Sequence, residues 1–195
     1  MTIEEMLKTV STLKQTSYDS ANEQYMSNIE NNVVDFDKVK DNYLKSLSEG
    51  PSQTCLSNDA LLKVEDQWYF IEFKNGVITI QVNDEIKTKI YDSLLVFLEI
   101  INKHIDYSRE KINYILVFNS DHIDKPRYTK NFDKNEFYNH YPDYRADLLF
   151  LLENLGGDFG KPQFGLERFK KFIFRDVKTI PKSVFDEYIK EILKD

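Results

Sequence analysis

The chain is poor in several features that usually reveal a function. It has a single cysteine, Cys55, in 195 residues, which excludes a disulfide framework and a zinc site built on several cysteines. Histidine is almost as scarce, and His104, His122 and His140 share no ligand spacing, so they read as surface or helix-end residues rather than metal ligands. Lys and Arg total 26 against 33 Asp and Glu, a net charge of −7. No global basic field draws the protein to nucleic acid or anionic lipid, and any such binding must use a local patch. No apolar stretch reaches the roughly 20 residues needed to span a bilayer. The longest, Leu94 to Ile101, is interrupted by Glu99. The acidic start, Met1 to Met6, lacks the cationic and apolar run of a signal peptide. There is no internal repeat and no low-complexity tract. The expectation is a reducing, cytoplasmic location with no membrane partner.

What is present is a soluble globular balance, 41% hydrophobic and 30% charged, which excludes a disordered or fibrous chain. Residues 1–34 place Ile3, Met6, Leu7, Val10 and Leu13 at helical spacing and predict a helical N-terminal extension. A firmer helix is predicted from about Asp37 to Ser48, with Asp35 or Asp37 as its cap and Gly50-Pro51 as its stop. The period then changes. Residues 59–64 and 67–74 read as strands around the polar turn Glu65-Asp66. Asn75-Gly76 is a turn signal, and residues 77–81 read as a third strand. A long helix follows from about Asp84 to Lys103, with Ile86, Ile90, Leu94, Phe97, Leu98 and Ile101 on its buried face. Residues 111–118 form an apolar strand. Beyond it, helices are expected over 143–154 and from about Pro181 onward, around an aromatic-rich stretch at 164–174. The expectation is one α/β domain over 1–195, with a mixed sheet in a core at 35–120 and a mostly helical C-terminal extension at 121–195.

The strand pair carries the chemistry. With an even loop centred on Glu65-Asp66, Val64 faces Gln67, Leu61 faces Phe70 and Asp59 faces Glu72. Directly opposite residues hold their Cβ atoms about 4.5–5.5 Å apart on one face. Lys74, two residues on, shares that face. The opposite face, with Ala60, Leu62, Val64, Tyr69, Ile71 and Phe73, is apolar and is expected to pack on the helix carrying Ile90, Leu94 and Phe97. Two adjacent carboxylates repel unless a cation lies between them. Oxygen ligands at that separation suit Mg²⁺ or Mn²⁺, Mg²⁺ keeping several of its waters. An ammonium beside them can orient a water or stabilise a developing phosphate oxyanion. The bland alternative is a solvated strand face on which Glu72 and Lys74 pair with neighbours.

Asp59, twelve intervening residues and then Glu72-Phe73-Lys74 resemble the PD-(D/E)xK signature of the restriction-endonuclease-like nucleases. The predicted order of helix, three strands, helix and strand is similar to that superfamily's αβββαβ core, over about residues 35–120. The resemblance implies a Mg²⁺-dependent nuclease with Asp59 and Glu72 as metal ligands and Lys74 as catalytic lysine. Asn58 stands where the family often has proline. The family's first core helix frequently supplies another acid, for which Asp41 is a candidate. The runs Ile71 to Gly76 and Lys89 to Leu95 also resemble a group of small, uncharacterised bacterial proteins.

Lys87 and Lys89 lie near the start of the following helix, where the resemblance puts substrate-facing residues. Their plainer reading is a solvated helix face. Residues 125–130 and 167–171 mix cations with aromatics and could hold phosphates and stack bases, though such mixtures are common on plain surfaces. Cys55 reads as a small buried residue. Gly156 to Gly160 lacks the preceding strand and following lysine of a phosphate loop and reads as a helix stop. The rival function is a non-catalytic acidic binding protein, of immunity-protein, antitoxin or regulatory type, whose −7 charge would speed association with a basic protein partner.

Overall fold

The computed structural model describes residues 1–49, 55–122 and 164–194. The chain opens with a five-residue helix, α1 (Ile3–Leu7), closed by a capping box between Thr2 and Glu5. Strand β1 (Val10–Thr12), a single turn α2 (Leu13–Thr16), and the short strands β2 (Tyr18–Asp19) and β3 (Gln24–Tyr25) follow. Strand β4 (Asn32–Asp35) leads straight into α3 (Phe36–Ser46), where the Asp35 carboxylate accepts from the Lys38 N–H. Then come β5 (Ala60–Val64), β6 (Gln67–Lys74), the long helix α4 (Ile80–Ile100), α5 (Ile105–Lys111) and β7 (Ile112–Phe118). A 3₁₀ turn at Leu166–Phe169, strand β8 (Asp176–Pro181) and helix α6 (Lys182–Ile192) complete the described residues.

Six strands form one mixed sheet in the order β1-β4-β5-β6-β7-β8. β1, β4, β5 and β6 run antiparallel to their neighbours, while β6, β7 and β8 run parallel. Trp68 pairs with Ile112 and Lys74 with Phe118, so β6 and β7 are matched along almost their full length. The α4–α5 crossover makes that parallel pairing possible, since parallel strands need a long return.

Both faces of this sheet are covered. Phe36, Leu61, Phe70, Leu116 and Val177 form one core with Ile86, Ile90 and Phe97 of α4. Ala60, Ile71, Phe73, Val117 and Ile180 form a second with Val184, Phe185 and Ile189 of α6. The face carrying Leu62, Ile71 and Phe73 therefore packs on the C-terminal helix, not on α4 as the sequence predicts. The alternation holds, but the polar residues at one end of the other face mask in the sequence that this face is core as well.

Three further expectations change. The N-terminal 34 residues are not a helical extension; β1 and β4 are strands of the main sheet. Residues 77–81 are not a strand. Thr79 caps α4 through the Val82 N–H, and Ile80, which begins the helix, is 84% exposed. The place beside β6 that a third meander strand would take belongs to β7. The C-terminal part adds a parallel strand, β8, which the sequence reading lacked. The predicted helix at 143–154, the glycine-rich stop at 156–160, His140, the basic cluster at 125–130 and the Gly50-Pro51 stop lie outside the described residues. No helix among the described residues is long and apolar enough to cross a membrane.

Candidate functional site

The hairpin β5–β6 has the register expected from its turn. Ala60 pairs with Ile71, Leu61 with Phe70 and Val64 with Gln67. Glu65 takes the turn's left-handed conformation, φ 51°. The ladder stops at Ala60–Ile71, one step short of Asp59 and Glu72. There the Asp59 side chain substitutes for a backbone partner, its Oδ2 accepting from the Phe73 N–H at 2.7 Å. Asp59 and Glu72 thus stand opposite each other at the end of the antiparallel pair, on the face covered by α4.

Glu72 is wholly buried, with its side chain 0% exposed. β6 is flanked by β5 and β7, and α4 lies over this end of the sheet. Two ammonium groups meet its Oε1: Lys89 Nζ at 2.7 Å and Lys74 Nζ at 2.9 Å. Lys89 Nζ also lies 3.4 Å from Asp59 Oδ1. The second carboxylate oxygen of Glu72, Oε2, is enclosed and has no hydrogen-bond partner among the described residues. The same holds for both side-chain polar atoms of Asn58 and for the Tyr114 hydroxyl. Buried polar atoms are paired in the great majority of cases, so an orphaned carboxylate oxygen is a site where a ligand or ordered water belongs.

The electrostatics follow from burial. Removal from water, and then the charge on Glu72, push the Asp59 carboxyl up to about 7; Lys89, the Phe73 N–H and Lys74 hold it back from rising further. Burial works against the Lys89 ammonium, but the Glu72 and Asp59 carboxylates more than offset it, and Lys89 is held above the ordinary lysine range. Asp37, at the start of α3, adds to that effect. Burial also holds the Tyr114 phenol well above its ordinary range, and the two carboxylates act in the same direction.

Of the expected site residues, the structure brings Asp59, Glu72, Lys74 and Lys89 together. Lys87 instead pairs with Asp84 one turn away, at 3.1 Å. Asp41 is exposed and pairs with its neighbour Lys40. The α3 acid whose charge reaches the site is Asp37, which also accepts from Ser57 Oγ. Lys89 shares a helix line with Ser93, expected to face solvent. That line is enclosed: Ser93 is buried, and its Oγ accepts from the Asn58 N–H at 2.8 Å. Cys55 is half-buried rather than buried and lines an apolar cavity of about 900 Å³ with Tyr43, Leu47, Tyr91 and Leu95. His104 is the cap residue of α5. In the 167–171 cluster Phe169 is core and Lys170 pairs with Asp176 at 2.7 Å, while Glu167, Arg168 and Lys171 are exposed.

The site opens at the end of the sheet into a cavity of about 300 Å³ that Asp59, Phe73 and Lys74 share with Thr16 to Ser20 of the N-terminal segment. Asn75 anchors that wall. Its amide donates to Asp19 Oδ2 at 2.9 Å, and its oxygen accepts from Asn119 at 2.9 Å. Two carboxylates with an orphaned oxygen form a donor set that fits a hard divalent cation, which commonly takes one or two protein carboxylates and completes its shell with water. No group of three or more His, Cys, Asp or Glu residues suited to a metal occurs among the described residues. No family model, curated protein or solved structure matches this chain.

Proposed function

We propose that the protein is a nuclease-like, Mg²⁺-dependent hydrolase of phosphodiester bonds in nucleic acid, on a core resembling that of the restriction endonucleases. The observation that carries this reading is the convergence of Asp59, Glu72 and Lys74 at one sheet end, with a buried Glu72 oxygen left unpartnered. The antiparallel β4–β5–β6, then α4 and the parallel β7, support it. The position of α3 between β4 and β5, rather than before the first strand, is a departure from the αβββαβ order.

Asp59 and Glu72 would hold the cation, with Mn²⁺ as a substitute for Mg²⁺. When bound, it supplies charge to polarise a phosphate and to lower the pKa of a coordinated water. The chain's own residues do the rest. The Phe73 N–H fixes one Asp59 oxygen, which leaves Oδ1 for the cation. The Lys74 ammonium, 22% exposed at the mouth of the cavity, is placed to orient the attacking water and to stabilise charge growing on a phosphate oxygen. Enclosure under α4 excludes bulk water from Glu72 and strengthens each of these interactions.

The test incubates wild type, Glu72→Gln and Lys74→Ala with single- and double-stranded DNA and RNA, in Mg²⁺ and in chelator. Wild-type cleavage in Mg²⁺ alone, lost in both variants, is the expected result. A second reading has a specific observation in its favour: Lys74 and Lys89 already pair with the carboxylates, as in a structural ion cluster. On that reading the chain is a non-catalytic acidic binding protein with a basic protein partner. No cleavage of any substrate, with no Mg²⁺-induced rise in melting temperature, would overturn the nuclease proposal in its favour.

A further inference from the structure

The two lysines on Glu72 are not equivalent. Lys74 extends from the same strand and, among the described residues, ion-pairs with Glu72 alone, whereas Lys89 reaches down from α4 and bridges both carboxylates, 2.7 Å from Glu72 Oε1 and 3.4 Å from Asp59 Oδ1. The geometry points to Lys89 as a built-in competitor for the divalent cation: its ammonium occupies the carboxylate edge that the ion needs and must leave before the ion can enter. This inference rests on the metal reading above and concerns its regulation.

The two oxygens of Asp59 are not equivalent. Its Oδ2 already accepts from the Phe73 N–H at 2.7 Å, which makes Oδ1, the oxygen facing Lys89, the better placed to meet a cation shared with Glu72. The Lys89 stem is held in place by its helix, since the neighbouring Ile86 and Ile90 are wholly buried. With Lys89 in place, two ammonium charges balance two carboxylates. A divalent ion added beside it would crowd four positive charges around two negative ones. If Lys89 withdraws, the ion, Lys74 and the carboxylates carry one net positive charge, which matches a single phosphodiester anion. Lys89 has room to move, because its side chain is 18% exposed and Asp37 lies near enough to act on its charge. With both carboxylates ionised, these four groups are therefore neutral and closed at rest, and the site loads its cation weakly until a phosphate draws Lys89 aside.

The probe is Mn²⁺ alone, titrated into the full chain and followed by the electron paramagnetic resonance signal of the free ion. Lys89→Met should bind at least about tenfold more tightly than wild type, because two like charges this close in a partly enclosed site repel by more than a tenfold change requires. Lys89→Arg keeps the charge and should bind no more tightly than wild type. Lys87→Met, on the same helix but paired with Asp84, should match wild type. Adding Glu72→Gln to Lys89→Met should abolish the tight binding, which ties it to this site. Lys89→Met binding no more tightly than a binding-competent wild type would overturn the inference and leave the metal reading intact. Equal tightening in Lys89→Arg would trace the effect to loosened packing and also overturn it. If no protein in the series binds Mn²⁺, the metal reading itself falls.

Discussion

Replacing Glu72 by Gln keeps the shape of the side chain and removes its charge from the most enclosed position in the site. Both lysines then lose their closest anion; Lys89 keeps Asp59, 3.4 Å away, and the weaker influence of Asp37. Removing one partner of a buried ion pair costs about 3–5 kcal/mol when the other is left buried and uncompensated. Lys74 and Lys89 are 22% and 18% exposed and can turn partly to water, so about 2–4 kcal/mol is the reasoned loss for this pair. Lys89→Met leaves Glu72 with Lys74 alone and should cost a similar amount in chelator. The double variant removes both charges of the closest contact and should lose less than the two singles together, with a coupling of about 1–3 kcal/mol. Urea denaturation of the four proteins at neutral pH, with chelator present, measures the cycle. Losses that add to within about 0.5 kcal/mol would show that Glu72 and Lys89 do not interact. The ion cluster, and the competition built on it, would then be refuted.

Other expectations are more direct. Phe185 of α6 is wholly buried and meets Phe73 edge-on, ring centroids 5.4 Å apart, so Phe185→Ala should cost about 3–5 kcal/mol in denaturant unfolding. A loss below about 1 kcal/mol would show that α6 does not cover the second face. Asp59, raised from 3.8 to about 7, binds its proton more tightly folded than unfolded. Between those two values the native state holds the extra proton, so stability falls as pH rises through the window and the penalty is complete above about pH 7. In chelator the fall should reach at least about 1.4 kcal/mol, the worth of one pKa unit, and Asp59→Asn should flatten it. A wild-type slope that survives that substitution would remove Asp59 as its cause.

The part of the site that lies within one hairpin was legible, because its geometry is local. A two-residue turn sets the register, and the register sets Asp59 against Glu72 and puts Lys74 on the same face. What depended on distant segments was not. Asp176 to Pro181 mixes charged and apolar residues and ends in proline, so nothing in its own pattern marks β8; it becomes a strand by pairing with β7. Val77 to Ile80 is β-branched and reads as a strand, but it has no free sheet edge to join, and the Thr79 cap starts α4 there instead. Lying off the apolar stripe of α4, Lys89 reads from the sequence either as substrate-facing or, more plainly, as part of a solvated helix face. The plainer reading fails where a helix crosses an ionic site, since the polar line through Lys89 and Ser93 is then the line that faces inward. A lysine one turn before a buried serine on the helix after the motif strand is the signal that could have found it.

The covering of both faces constrains how a substrate could reach the acids. Glu72 cannot be approached through either face, because α4 lies over one and α6 over the other. The opening available is the sheet end, where Asp59 and Lys74 meet the segment Thr16 to Ser20. That segment is placed by Asn75, the residue immediately after Lys74, through its bonds to Asp19 and Asn119. The end of this strand thus carries both the Lys74 ammonium and the fastening of the wall opposite it. On the proposed nuclease reading, a phosphate entering here would meet the Lys74 ammonium first, and a cation would reach Asp59 and Glu72 together only after the bridge made by Lys89 had opened. The same burial that raises the Asp59 pKa and orphans a Glu72 oxygen also narrows access to the sheet end among the described residues, so charge neutralisation and access involve the same few side chains.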